Sequence, residues 1–182
     1  YFIFALVPSL HPVLLTPANV CILGTYIFSG LLFRSWRQPI ERPLLIAAWG
    51  VLLLLGITFE AIRQNGNFAD RVVFVTTAFA ITYFWQGYEV ARLIYAKGPL
   101  ILKFIFGLIV VALALTLART FTTLNINLSH VNNIFNEELV TRFLRWSQQA
   151  ITLLIFFAIG TFYLQRQLSE RRQMIDSLHS KD

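Results

Sequence analysis

The sequence predicts an all-α fold: a polytopic membrane helix bundle of about five transmembrane helices, the last of which continues beyond the membrane as a coiled-coil helix. Three observations predict it. Hydrophobic residues make up 57% of the 182-residue chain, and charged residues make up 13%, about half the share found in a soluble domain. The apolar residues are also gathered in runs of about 20, the length that crosses a bilayer. A single soluble core of this size could not bury so much apolar surface.

Five apolar runs account for the predicted spans. In chain order they are Leu14 to Phe33, Leu44 to Phe59 or on to Ile62, Val72 to Leu93, Leu100 to Ala118, and Trp146 to Leu164. The opening stretch YFIFALVPSLHP leaves two interpretations open, the tail of a sixth, truncated span or an apolar segment at the membrane surface. A helix continuous with the first span is disfavoured because Pro8, Pro12 and Pro17 each remove a backbone donor.

Lysine and arginine are concentrated in alternate loops. They lie after the first span (Arg34, Arg37, Arg42), between the third and fourth spans (Arg92, Lys97, Lys103), and in the tail (Arg166, Arg171, Arg172, Lys181). Because basic loops remain cytoplasmic, we expect these three segments and the carboxyl terminus on that side of the membrane. The long outer loop contains the stretch NLSHVNNIFNEEL, which we expect to form a short amphipathic helix on the membrane surface.

Motifs for catalysis and for cofactor binding are missing from the sequence. The three histidines, His11, His130 and His179, fall outside the middle of the predicted spans, so no pair of facing haem ligands exists. Metal-ligand spacings of Cys and His and phosphate-binding glycine loops are also missing. We therefore predict no catalytic residue, no metal and no cofactor in this chain. The formal net charge of +6 follows from the basic loops and indicates no nucleic-acid partner.

The third span, VVFVTTAFAITYFWQGYEVARLIYA, is unusually rich in aromatic and polar residues. We predict a ligand-binding role for four of its residues, Thr77, Tyr83, Gln86 and Glu89. A charged side chain inside a membrane costs about 2.5–3.5 kcal/mol on insertion scales, so it faces protein or water. Two interpretations of Glu89 remain open: an interfacial pair with Arg92 on the same helix face, or part of the polar wall of a ligand pocket.

The fifth span begins with a pair of glutamines, Gln148 and Gln149, near the outer interface. Helix bundles use such side chains for interhelical hydrogen bonds, and the alternative is contact with an extracellular ligand. Glu60 and Arg63, at the outer end of the second span, are interpreted as charged ends that reach toward the interface.

The last span and the tail share one heptad pattern. Apolar positions recur at alternating spacings of three and four residues, with Thr161 and Arg171 as polar interruptions. We call this set the seam: Leu154, Phe157, Thr161, Leu164, Leu168, Arg171, Ile175 and Leu178. No residue between Leu164 and Leu178 is expected to stop the helix. The pattern predicts a helix that pairs with a second copy of itself, through Leu164, Leu168, Arg171, Ile175 and Leu178. The alternative is an amphipathic helix next to the membrane, since any such helix matches a heptad for about three turns.

The tail sequence QRQLSERRQMIDSLHSKD resembles the linker helix of bacterial membrane-bound signalling proteins, in which a multi-pass sensor is followed by a dimeric helix and an output domain. Its end, Leu178 to Asp182, is similar to the lead-in of diguanylate cyclase (GGDEF) domains, and histidine kinases use comparable linkers. The resemblance implies a transmembrane sensor bundle over residues 1–165, a linker helix over 166–182, and an enzyme domain that this chain lacks. It also implies the bacterial inner membrane as the location.

Two functions therefore remain open. The first is a sensor or receptor module that reads a small ligand, a lipid or the membrane state and passes the signal through its last helix as a homodimer. The second is a non-catalytic accessory or structural subunit of a larger membrane complex, with the aromatic third span packed on other membrane subunits. A transporter or channel is disfavoured because the predicted spans carry almost no charge at mid-membrane.

Overall fold

The structure, a computed structural model, describes residues 14–96, 98–125 and 139–179, without the side chains of 177–179. Within these ranges the chain forms five α-helices and no strand, which confirms the all-α prediction. The helices are α1 (Leu15–Ser35), α2 (Arg42–Asn65), α3 (Phe68–Tyr95), α4 (Leu100–Asn125) and α5 (Leu139–His179). The amino-terminal segment and the amphipathic helix predicted for the outer loop lie outside the described residues.

Four of the five helices, α1, α2, α4 and α5, are long and apolar enough to cross a membrane. The third predicted span corresponds to α3, which has sufficient length at 28 residues but does not belong to this apolar group. Its Thr, Gln and Glu side chains lower its hydropathy. This composition is tolerated because one face of α3 is buried inside the bundle, where those side chains find protein partners.

Local signals set the helix boundaries between α2 and α3. Helix α2 begins with Pro43 in its first turn, where proline costs no hydrogen bond. Helix α3 begins with a capping box, in which Asn67 and Asp70 each accept a hydrogen bond at 2.9 Å from the other's backbone N–H. Between the helices, a Cβ added to Gly66 would lie 2.8 Å from the carbonyl oxygen of Ile62, so the tight turn requires glycine.

Helices α1 to α4 run up and down. The rings of Phe28 and Trp49 are 4.9 Å apart and the side chain of Thr16 hydrogen-bonds Glu60, so α1 and α2 are antiparallel. Helices α1 and α3 run in the same direction. We call the end of the bundle where α1 and α3 finish and α2 and α4 begin the basic end, because it carries Arg34, Arg37, Arg42, Arg92 and Lys103.

The apolar core lies where α3 packs on α4, α4 on α5 and α1 on α3. Its fully buried side chains include Leu23, Phe33, Ile105 and Ile109, each no more than 1% exposed. Small residues bring the helices close together. A Cβ on Gly30 would lie 2.8 Å from the ring of Trp85, so α1 and α3 approach each other at a position that only glycine fills without displacement.

Helix α5 is unbroken over 41 residues, a length of about 60 Å at ~1.5 Å per residue. The hydrocarbon core of a bilayer is only about 30 Å thick, so α5 is about twice as long as a span requires. The other four helices have 21 to 28 residues, so α5 extends well beyond them. Every residue from Tyr163 to Asp176 is exposed, because this part of α5 projects past the basic end without neighbours. The expectation that nothing stops the helix after Leu164 is confirmed.

Candidate functional site

Polar side chains of α3 form a line along its buried face. Tyr83, Gln86 and Glu89 are each no more than 1% exposed, and Thr76 lies on the same face. Their spacings of seven, three and three residues keep them on one side of a helix. A polar group inside an apolar environment is costly unless it is hydrogen-bonded, so the partners of these groups determine what the line does.

Three hydroxyl groups from three helices meet in the middle of this line. The Tyr83 hydroxyl donates to that of Tyr26 at 3.1 Å, and the hydroxyl of Thr152 lies 3.0 Å from Tyr26 and 2.9 Å from Tyr83. Thr152 also donates to the carbonyl oxygen of Gln148 at 2.8 Å. We call Tyr26, Tyr83 and Thr152 the hydroxyl cluster, which links α1, α3 and α5.

Further hydrogen bonds extend the connection on both sides of the cluster. Toward the basic end, the Gln86 amide donates to the carbonyl oxygen of Tyr26 at 2.8 Å. Toward the opposite end, Gln148 donates to Thr116 at 3.0 Å, and Thr120 donates to Thr76 at 2.8 Å. These bonds cross between α1 and α3, α5 and α4, and α4 and α3, so the polar groups act as cross-links between helices.

The basic end holds a buried carboxylate between two arginines. Glu89, 1% exposed, lies 3.1 Å from Nη2 of Arg37 and 3.6 Å from Nη1 of Arg34. The predicted pairing of Glu89 with Arg92 is wrong, because Arg92 is exposed and turns to Tyr88, donating to its hydroxyl at 3.2 Å. Glu89 points into the bundle, where Arg34 at the end of α1 and Arg37 in the turn after it supply two guanidinium groups.

The short segment that carries these arginines also contacts α5. The indole of Trp36 lies 4.5 Å, centroid to centroid, from the ring of Phe162 and 5.3 Å from that of Phe33. We call residues 34–37 the coupling turn, because it holds Glu89 of α3 on one side and Phe162 of α5 on the other. Phe162 is the last residue of α5 before the helix becomes fully exposed.

Helix α5 presents two opposite faces. Ile155, Ala158 and Ile159 are buried against the bundle, whereas the seam is exposed along its described length, with Phe157 77%, Leu164 61%, Leu168 55% and Ile175 55% exposed. At about 100° per residue, the seam lies on the side of α5 that faces away from the bundle. The side chain of Leu178 lies outside the described residues.

The opposite end of the bundle carries charged groups as well. Glu60 is bound by Arg63, Thr16 and Gln64, so these interfacial residues hold α1 and α2 together instead of only reaching outward. Arg119 of α4 is 8% exposed. Thr116 and Thr123 of the same helix are also buried, as is Thr141 near the start of α5. Arg119 was not singled out from the sequence. Its position directly after the apolar run Leu100 to Ala118 was the signal that could have identified it as a buried charge.

The predicted ligand residues divide into two groups. Tyr83, Gln86, Glu89 and Gln148 are buried and hydrogen-bonded to other helices. Thr77 and Gln149 are exposed on the outside of the bundle, while their neighbours Thr76 and Gln148 face inward. In the described ranges, no group of three or more His, Cys, Asp or Glu side chains could hold a metal ion.

Comparisons with protein-family models, curated proteins and solved structures find no match to this chain.

Proposed function

We propose that this chain is the membrane sensor module of a bacterial inner-membrane signalling protein. It acts as a homodimer and passes a change in its helix bundle through α5 to a cytoplasmic output domain, of which a diguanylate cyclase is the favoured example. The observation that carries the proposal is the pair of opposite faces on one unbroken helix. The bundle holds one face of α5 and leaves the seam free for a second copy.

The coupling turn gives such a module a path for the signal. The hydroxyl cluster joins α1, α3 and α5 inside the bundle, and the coupling turn joins Glu89 to Phe162 at the point where α5 leaves it. A shift of α1 against α3 therefore moves the contact that supports α5. Coupling between distant sites requires an element with two arrangements, and in this proposal the coupling turn is that element.

The buried polar residues favour a stimulus within the membrane over a soluble ligand. Tyr83, Gln86 and Gln148 are each occupied by hydrogen bonds to a neighbouring helix, so they brace the helices instead of lining an open pocket.

In this proposal the basic end is cytoplasmic, in agreement with the distribution of Lys and Arg.

A change of helical phase tests the proposal. A diguanylate cyclase domain placed after Asp182 serves as the reporter, with cyclic di-GMP as the measured output. Deleting one residue between Leu164 and Leu168 rotates the distal helix by about 100° and is expected to change the output sharply. Inserting seven residues at the same place changes the phase by only about 20° and is expected to preserve it. Unchanged output after the single deletion contradicts the proposal.

A second candidate function rests on the outer face of α3. Ile81, Phe84, Tyr88 and Tyr95 are 65%, 71%, 51% and 90% exposed, and together they form an apolar, largely aromatic line on α3. Such a face fits a neighbouring membrane subunit, as in an accessory subunit of a larger complex. Native purification separates the two functions, since stoichiometric co-purification of other subunits favours the second.

A further inference from the structure

The charges around Glu89 do not balance. Two guanidinium groups, Arg34 and Arg37, share one buried carboxylate, which leaves an excess of one positive charge in a half-buried site. The other charged groups described at this end increase the excess. Arg42, Arg92 and Lys103 outnumber Glu41 between α1 and α4, and three arginines outnumber Glu170 and Asp176 on the projecting part of α5.

The hydrogen-bonding capacity of the two arginines is also incomplete. The Nε atoms of Arg34 and Arg37 are buried and have no hydrogen-bond partner among the described residues. Nε and one Nη form the edge with which a guanidinium group binds phosphate through two parallel hydrogen bonds. A buried donor without a partner costs free energy, so the single chain leaves these arginines incompletely satisfied.

Arg34 and Arg37 are held unequally. Arg37 donates a hydrogen bond to Glu89 at 3.1 Å and its side chain is 22% exposed. Arg34 lies 3.6 Å from the same carboxylate and its side chain is 31% exposed. Arg34 therefore has the weaker hold on Glu89 and the greater exposure, and its guanidinium group can turn toward the membrane surface while Arg37 remains on Glu89.

We propose that the coupling turn binds a phosphate oxyanion, supplied by the headgroup of an anionic phospholipid, with Arg34 as the principal ligand and Arg37 as its support. Arg34 lies in the last turn of α1, a helix long and apolar enough to cross a membrane, so a bilayer that α1 spans would place Arg34 near the headgroups. Anionic lipids are attracted to such basic ends. Because the turn also carries Trp36, occupancy by a lipid would bear on the contact with α5.

Native mass spectrometry of the full chain, released from nanodiscs of equal phosphatidylglycerol and phosphatidylcholine, tests the binding. The wild type is expected to retain phosphatidylglycerol over phosphatidylcholine. Arg34→Gln is expected to reduce that retention about tenfold, which corresponds to the loss of one charge-assisted hydrogen bond. Glu89→Gln is expected to increase it, because the carboxylate no longer competes for either guanidinium group. A chain that fails to fold cannot gain binding, so this variant keeps the test informative.

Arg42→Gln and Lys103→Gln are the matched controls, since both residues are exposed at the same end of the bundle. Each is expected to retain the lipid within about twofold, as single surface charges contribute little. Equal losses in Arg34→Gln and in the controls overturn the proposal, because the attraction would then be diffuse. Unchanged retention in both Arg34→Gln and Glu89→Gln also overturns it.

Inorganic phosphate distinguishes the two sources of the oxyanion. Addition of millimolar phosphate is expected to leave the lipid bound, and displacement of the lipid would overturn the lipid assignment in favour of free phosphate. The site belongs to the coupling turn of the proposed sensor, but the readout is lipid retention and not signalling output. Failure of the lipid site and failure of the sensor function are therefore distinguishable.

Discussion

The indole of Trp36 packs on the ring of Phe162, with centroids 4.5 Å apart and ring planes inclined at 56°. This contact joins the turn after α1 to α5 at the level where α5 leaves the bundle. Aromatic pairs in such tilted arrangements contribute about 0.5–1.5 kcal/mol beyond the area they bury. The contact is therefore strong enough to bias the position of α5 and weak enough to be reversible.

A double-mutant cycle measures this contact. Trp36→Ala and Phe162→Ala are each expected to lower the free energy of unfolding, and the double variant is expected to lower it by about 1 kcal/mol less than the sum, because the pair is lost only once. The measurement is unfolding of the purified chain in mixed micelles. Combining Trp36→Ala with Phe104→Ala, an exposed aromatic residue of α4, should give additive effects. Additivity for both pairs would contradict a direct contact.

The hydroxyl cluster predicts a cost for removing one hydroxyl group. Tyr83→Phe is expected to lower the free energy of unfolding by about 0.6 kcal/mol and at most about 1.7 kcal/mol, the mean and the maximum measured for interhelical hydrogen bonds in a membrane protein. The same measurement on Tyr95→Phe provides the control, because Tyr95 is 90% exposed and should tolerate the change. If both variants unfolded at the same midpoint, the cluster would not brace the bundle.

Two glycines predict opposite outcomes for the same substitution. Gly30→Ala is expected to destabilise the bundle, since the new Cβ would lie 2.8 Å from the Trp85 ring and force α1 and α3 apart. Gly50→Ala meets no atom within 4 Å and is expected to be neutral or to stabilise α2 by up to about 1 kcal/mol through helix propensity. Thermal unfolding followed by circular dichroism measures both. A loss of stability in Gly50→Ala equal to that in Gly30→Ala would contradict the close approach of α1 and α3.

The charge of Arg171 in the seam is expected to limit how strongly two copies pair. In a parallel pair its charge would lie in the seam, where polar residues weaken association. Arg171→Leu is expected to tighten dimerisation by about tenfold, a change of ~1.4 kcal/mol, as measured by energy transfer between labelled chains in vesicles. Arg172→Leu is the matched control because it removes the same charge one residue off the seam. Equal tightening in both variants would indicate a general charge effect.

The helices were predictable because their signals are local. Apolar runs set the positions of all five, and the heptad spacing from Leu154 onward anticipated an α5 without a break. The true bounds are wider than the apolar runs, as in α2, which extends from Arg42 to Asn65. Hydropathy detects only the apolar part of a helix. Polar residues at its ends continue the same backbone hydrogen bonds, so the helix is longer than its apolar run.

The partners inside the bundle were not predictable from local spacing. Glu89 and Arg37 are 52 residues apart, whereas Arg92, three residues from Glu89, matched the local rule and proved wrong. The choice between Thr76 and Thr77, or between Gln148 and Gln149, depends on the rotation of each helix. Lipid is as apolar as a protein core, so an evenly apolar helix carries little information about which side faces inward.

Cysteine cross-linking along α5 tests the central claim, that the seam faces a second copy, most directly. Cys21 is exposed and is first replaced by Ser, and single cysteines are then placed at each position from Leu164 to Asp176 in the full chain in native membranes. Disulfide-linked dimers are expected to peak at positions 164, 168, 171 and 175, with minima on the opposite side of the helix. A flat profile, or maxima in phase with Ile155 and Ile159 on the face that the bundle covers, would contradict the account.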